Sequence, residues 1–346
     1  MLLHIIPNTA NDKNYSDTGG TKGIKIFYEY FVDNNIEYED LIAPNRSDKE
    51  LMKILKSMDL KKFSHIFIHY TSFVGSLKFI KKTYPDIIVI VRSHNAEFPH
   101  WIHHSYSWFL SGNWIEALKI FLISFVKLRG DIISSRLADY ILVITPWELE
   151  NYWKLFPNKC NFLYVPYFSP QQTIQRNISD FSDRDLICTC LLSTNKSPFL
   201  IDAAKNFQML VEKTEKDLPN WIFMISGNND GIKRSKNKRV IFTGIVDDPI
   251  KLQRETRVVA VLSDFGFGFK TKILESIENG CLVLVSKKLF DRLPDAVKTG
   301  CIRVNIEQPK TFFQGLKKAE LSYSKSEVNQ FLKGVAFKNL NQAFIK

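Results

Sequence analysis

DFGFGFKTKILESIENGCLVLVS, from Asp264 to Ser286, reads as a glycine-rich turn, an amphipathic helix from about Lys272 and a buried strand. With the apolar run Val258 to Leu262 before it, the stretch forms one strand, loop, helix and strand, the repeating block of a parallel α/β sheet. Gly266 and Gly268 let a ligand approach the backbone closely, the helix start presents unsatisfied N–H groups, and Lys270 and Lys272 add positive charge. A pyrophosphate would be stabilised there. Glu275, one turn further on, either accepts hydrogen bonds from both hydroxyls of a ribose or is a solvated glutamate near a helix start, and a lone GxG does not decide between them.

Outward from this unit the same rhythm fills the chain. Toward the C-terminal half it runs through Leu186 to Leu192, Trp221 to Ser226, Val240 to Thr243, Val258 to Leu262 and Leu282 to Ser286, with helices such as Pro198 to Lys213 between them. In the N-terminal half the strands are Leu2 to Ile6, Ser64 to His69, Ile87 to Arg92 and Tyr140 to Ile144, followed by a short run from Asn161 to Pro166. Polar residues from Ser169 to Asp185 separate the halves as a linker should. The 346 residues therefore divide into a first Rossmann-like domain at 1–168, a linker at 169–185, a second Rossmann-like domain at 186–325 and a helical segment at 326–346 expected to return to the first domain. The fold class is α/β, two parallel sheets facing across a cleft, with ligands beyond the carboxyl ends of the strands.

The formal charge of +11 implies an anionic partner: a nucleotide phosphate, a nucleic acid or an acidic membrane surface. No nucleic-acid motif surrounds the lysine run Lys233 to Arg239, so nucleic acid is not expected as a partner. The five cysteines form no CxxC pair and read as free thiols of a reducing compartment. The N-terminus lacks a basic leader region and reads as a first strand, so a cytoplasmic location is expected.

Asp264 to Ser286 also resembles the nucleotide-binding signature of GT-B glycosyltransferases of glycosyltransferase family 4, the group 1 glycosyl transferases. Gly266, Gly268, Lys270, Lys272, Glu275, Gly280 and Val283 to Ser286 fall in register with it. The resemblance implies that the backbone from Gly266 through Phe267, Phe269 and Thr271 lines the donor site, that Lys270 or Lys272 meets the diphosphate, and that Glu275 holds the ribose. One departure concerns the sugar: Phe267 stands where many members carry a glutamate, so backbone N–H groups of Phe265 to Phe269, or more weakly Asp264, would replace it.

Other stretches resemble the same family. In RSHNAEFPHW, His94 resembles the histidine that faces the donor sugar or acceptor; the alternative is a structural histidine capping its own turn. In RLADYILVITPWELENY, Glu148 either points into the cleft or, the preferred reading, is the N3 residue of a capping box begun by Thr145. Lys196 resembles a second diphosphate lysine, and Gly20, with Gly19, a first-loop glycine pair; each has a solvated lysine or a plain turn as its alternative. Gly227 and Gly244 resemble later glycine turns, the second near the nucleotide base.

His100, His103 and His104 share helical spacing but lack carboxylates beyond Glu97 and read as a polar helix face; Asp183 and Asp185 form an incidental D-x-D. No metal is expected, since lysines and helix dipoles do that work in GT-B enzymes. Trp114 to Leu128 is about 22 Å long as a helix, too short for a ~30 Å hydrocarbon core, and either packs in the first domain or lies in a membrane interface beside Trp101, Trp108 and Phe109.

What the resemblance implies is sugar transfer from a nucleotide-diphosphate sugar to a hydroxyl of a glycan or lipid-linked acceptor, in bacterial surface polysaccharide synthesis at the inner face of the membrane. Lys270, Lys272 and Lys196 would stabilise the departing diphosphate and His94 would serve the sugar. A sugar-nucleotide epimerase of the same fold, or a catalytically silent binding subunit, is the alternative.

Overall fold

Leu2–Pro7 (β1) is apolar except for His4 and buried at every position, as a strand covered on both faces must be. It lies between two parallel neighbours, Tyr38–Ala43 (β2) and His65–His69 (β3). The computed structural model describes residues 1–8, 19–44, 47–156, 160–170, 181, 184–192, 198–234, 239–321 and 327–345.

With Ile88–Arg92 (β4), Tyr140–Val143 (β5) and Asn161–Tyr164 (β6), the first sheet is six-stranded in the order β2-β1-β3-β4-β5-β6. The second comprises Ile187–Leu191 (β7), Ile222–Ser226 (β8), Val240–Gly244 (β9), Val258–Val261 (β10), Leu282–Ser286 (β11) and Cys301–Val304 (β12), in the order β12-β11-β10-β7-β8-β9. All pairings in both sheets are parallel. Two parallel sheets covered by helices are the expected fold class. Each order reverses once, between β1 and β3 in the first sheet and between β7 and β10 in the second, and a reversal opens a crevice beyond the strand ends.

The two strands absent from the sequence reading, β2 and β12, are both edge strands. β2 (YEDLIA) is half-buried or exposed at every position but Ala43, and three of the four β12 residues (CIRV) are only partly buried or exposed, so neither carries a continuous apolar run.

By contacts the chain forms two compact units, Met1–Pro170 with Phe267–Phe269 and Gln330–Lys346, and Gln171–Gly266 with Lys270–Asn329. The first has a core of Leu3, Ile5, Ile66, Val89, Ile141 and Trp153, which Phe267 joins; the second is built on Cys188, Phe207, Phe223, Val258, Leu284 and Phe312. Each such side chain, fully buried, contributes ~1.5–3 kcal/mol.

The helix that sequence reading ended at Leu128 continues to Leu137, 24 residues in all. Its buried face is the small and polar one, Ala117, Ile120, Ser124, Asp131, Ser134 and Ser135, and Ser105 Oγ of helix Glu97–Leu110 donates to the Ala117 carbonyl at 2.7 Å. Apart from Ile120, the large apolar residues from Trp114 to Val126 point outward, Trp114 65% and Val126 68% exposed. Among the described residues no helix is long and apolar enough to cross a membrane.

Candidate functional site

The glycine loop emerges from β10, beside β7, at the order reversal of the second sheet. Gly266 and Gly268 take φ of +83° and +78°, a region that costs other residues a Cβ clash. Ser263 anchors the loop's base: its carbonyl accepts from Ser286 Oγ at 2.9 Å, and its hydroxyl accepts from Phe265 N–H and lies 3.2 Å from Asp202 Oδ2. Burial pushes the Asp202 carboxyl up to about 6. Arg292, which sequence reasoning missed, closes the turn from helix Lys287–Arg292 by donating Nη1 to the Gly266 carbonyl at 2.7 Å. Its only sequence signal was a cation shortly after the strand that follows the motif.

Helix Thr271–Glu278 begins immediately after Lys270, whose extended backbone makes it the N-cap, and no acidic side chain stands in the first turn. A helix start with no carboxylate and two lysines is suited to an anion. Lys272 Nζ donates to the Leu191 carbonyl at the end of β7, 2.8 Å away. Lys270 folds back over the turn: its Nζ lies 3.0 Å from where a Cβ on Gly266 would stand, and 6.0 Å from the Phe199 ring centroid. Thr271 and Glu275 are half-buried along the same helix.

The neighbouring strand ends are joined by glycines. Gly227 has φ +116°, and a Cβ there would meet the Leu192 carbonyl at 2.7 Å, so only glycine fits. Its N–H donates to the carbonyl of Gly244, which ends β9. The structure thus brings Gly244, Gly266, Lys270, Thr271, Lys272 and Glu275 into one unit; Lys196 and Asp183 lie outside the described residues.

His94 and Gly20 belong to the first unit. Gly20 is in the first turn of helix Gly19–Asp33, and the imidazole of His94 lies against Gly23 of that helix. The turn after β4 is held by Ser93, whose N–H donates to the Leu142 carbonyl and whose hydroxyl donates to the Asn95 carbonyl at 2.7 Å. Tyr70, at φ +74° despite its side chain, stacks on the His94 ring with centroids 4.4 Å apart.

His94 has a specific side-chain partner: its Nε2 is 3.0 Å from His69 Nδ1. His69 Nε2 is 2.9 Å from His4 Nε2, and His4 Nδ1 is 2.8 Å from Asp40 Oδ1. His4 and His69 are wholly buried, and burial lowers both below the ordinary imidazole range. Sequence reasoning missed them, although a histidine inside the buried runs LLHIIP and HIFIH is itself a signal.

Phe267–Phe269 also belong to the first unit. The Phe267 ring is 8% exposed and sits 4.7 Å from His103 and 5.3 Å from Trp147, centroid to centroid. Its N–H donates to His100 Nδ1 at 3.2 Å, and Gly268 N–H donates to Glu148 Oε1 at 2.8 Å. The N–H groups of Phe265, Phe267 and Gly268 expected to face a sugar are thus engaged by Ser263, His100 and Glu148. The Phe269 ring lies tilted against Tyr167, centroids 5.8 Å apart.

Glu148 forms half of the expected capping box. Thr145 Oγ1 accepts from Glu148 N–H at 3.1 Å, but the buried carboxylate accepts from Ala96 N–H at 3.0 Å as well as from Gly268. The three histidines of helix Glu97–Leu110 are not a uniform polar face: His100 and His103 meet Phe267, while His104 Nε2 accepts from Trp108 Nε1. Among the described residues no three His, Cys, Asp or Glu side chains are grouped to hold a metal ion.

Residues 186–319 match the family model described as Glycosyl transferases group 1. No curated protein matches the sequence significantly. Sucrose-phosphate synthase from Thermosynechococcus elongatus superposes with a TM-score of 0.62 at 12% identity, covering 99% of this chain and 95% of its own. Anabaena HepE in complex with UDP gives 0.58 at 11% identity over the same shares, 99% and 95%. An E. coli trehalose-6-phosphate protein bound with UDP-2-fluoro glucose gives 0.58 at 11%, over 98% and 95%. At such identity these likenesses speak for the fold, and the family match over the second half speaks for the chemistry. The protein is thus a glycosyltransferase of the GT-B type that resembles the group 1 glycosyl transferases.

Proposed function

We propose that this enzyme transfers a sugar from a UDP-sugar to a hydroxyl of a glycan or lipid-linked glycan in bacterial surface polysaccharide synthesis. One observation carries the donor side: the helix start at Lys270, with Lys272 and no first-turn carboxylate, stands at the order reversal of the second sheet. Lys270, Lys272 and the helix dipole would neutralise the departing diphosphate, joined by Lys196, with no metal needed. Glu275 would hold the ribose and Gly244 would border the base. His94 would serve the sugar. UDP is favoured because HepE and the trehalose-6-phosphate protein carry UDP or a UDP-sugar.

The enzyme would work in the cytoplasm, against the inner face of the membrane. The outward apolar side of helix Trp114–Leu137, together with the exposed cations Lys119 and Arg129, supports that reading.

The test is a thermal-shift panel of UDP-, GDP- and CMP-sugars, then assays with acceptor. A UDP-sugar at a hundred times its Kd should stabilise by about 2.7 kcal/mol, and Lys270→Ala and Glu275→Ala should remove the shift. Interconversion of donor epimers without acceptor would overturn transfer in favour of an epimerase. Intact glycan synthesis in cells carrying both substitutions would favour a silent binding subunit.

A further inference from the structure

Asp40, His4, His69 and His94 form an unbroken line of hydrogen bonds of 2.8, 2.9 and 3.0 Å. The line runs through β2, β1 and β3 to the turn after β4, across the order reversal of the first sheet. Its outer end is a carboxylate whose second oxygen accepts from Tyr28 OH at 2.9 Å. Aromatic rings enclose the interior: His4 stacks on Phe67 at 5.2 Å and meets Phe31 edge-on at 5.3 Å, while Phe27 stands 5.4 Å from His69.

A line of neutral imidazoles has a direction. Each ring has one N–H and one bare nitrogen, so fixing the first fixes the rest. Asp40 is an acceptor only, so His4 Nδ1 donates to it and His4 Nε2 becomes the acceptor. His69 then donates from Nε2 and accepts at Nδ1, and His94 donates from Nε2. Burial lowers the pKa of His4 and of His69, so both stay neutral and the direction is not reversed by charge.

We propose that His4 and His69 are positioning residues which, anchored on Asp40, hold His94 with its proton on Nε2 and its Nδ1 as an acceptor, fixing the tautomer in which this histidine serves the sugar. Nδ1 is on the side of the ring toward Gly23, where a Cβ would stand 3.5 Å away. Tyr70, stacked on the ring, fixes its plane. The inference rests on the reading of His94 as the sugar-side histidine, but its tautomer can be observed without turnover.

The experiment is long-range proton–nitrogen NMR on the full chain labelled with ¹⁵N-histidine, with His94 assigned by difference from His94→Gln. The wild type should show His94 protonated at Nε2 and bare at Nδ1. His69→Phe should move His94 to exchange-averaged tautomers and lower kcat by about 10- to 100-fold, as loss of a partner orienting a functional imidazole does, with the nucleotide Kd unchanged. Asp40→Ala, at the half-exposed end of the line, should disturb the tautomer in the same sense and serves if His69→Phe does not fold. A wild-type His94 carrying its proton on Nδ1, or His94 signals unmoved in both variants, would overturn the proposal. The expected tautomer in a chain that transfers no sugar would instead overturn the function and leave the positioning intact.

Discussion

Arg292 donates Nη1 to the Gly266 carbonyl at 2.7 Å and Nη2 to the Asp264 carbonyl at 3.3 Å. A planar guanidinium gripping two carbonyls of one loop holds the turn in a single shape before any ligand arrives. Arg292→Ala leaves the core untouched but frees the loop, and ordering it would then draw on binding energy. Titration calorimetry with the donor should give a Kd weaker by about tenfold, near 1.4 kcal/mol. A Kd within about twofold of wild type would show that Arg292 does not shape the donor loop.

Gly268 has a tighter constraint. A Cβ there would stand 2.1 Å from Asn95 Oδ1 and 2.8 Å from the His94 carbonyl, at φ +78°. The Asn95 side chain can swing aside, whereas the His94 backbone carbonyl cannot. Gly268→Ala should therefore cost about 2 kcal/mol or more, and the melting temperature should fall by roughly 4 °C or more. Truncating Asn95 to Ala in the same chain should restore only part of the loss, and full restoration would mean that the carbonyl contact is harmless.

How far the sequence could be read depended on whether a feature is contiguous. Gly266, Lys270, Lys272 and Glu275 sit on one loop and one helix, so their chemistry shows as a motif. Asp40, His4, His69 and His94 are scattered over three strands and a turn, and only the order β2-β1-β3-β4 makes them neighbours. Phe267 was legible as a departure from a family pattern but not as a core residue, because its pocket is made by His103 and Trp147 from distant helices. Helix Trp114–Leu137 misled for another reason: the pattern that marks a buried apolar face assumes large residues inward, yet here Ala117, Ser124 and Ser134 face in.

Asp131 provides a pH signature. It is fully buried, accepts from Thr71 Oγ1 at 2.6 Å and from Tyr152 OH at 2.5 Å, and burial pushes its carboxyl from 3.8 up to about 7. Between those values the folded chain holds a proton that the unfolded chain has lost, so this group's contribution to stability falls as pH rises through the window. His4 and His69 act oppositely, since neutral buried imidazoles lose stability as pH falls below 6.5. Comparing wild type with Asp131→Asn cancels the histidines. In urea melts the advantage of wild type over the variant should shrink from pH 5 to pH 8, and an advantage that grows would refute the raised carboxyl.

The outward face of helix Trp114–Leu137 yields a prediction about surfaces. Leu118, Leu122 and Val126, 54%, 59% and 68% exposed, lie one helical turn apart on one side, and Phe109 and Leu110 of the preceding helix are exposed as well. Exposed apolar area of this kind on a basic chain suits the interface of an anionic bilayer, where partial burial of each side chain contributes favourably and nearby lysines meet the headgroups. Co-sedimentation with phosphatidylglycerol vesicles should be strong at ~0.1 M salt and weaker at ~0.5 M, because the electrostatic share is screened. Leu122→Glu with Val126→Glu should reduce it by about tenfold or more, removing apolar area and adding two charges that the bilayer repels. Binding that survives the double substitution, or that is equal on phosphatidylcholine, would mean that this face is not what meets the membrane. Donor binding by calorimetry should be unchanged in the same variant, since no residue of the glycine loop is altered.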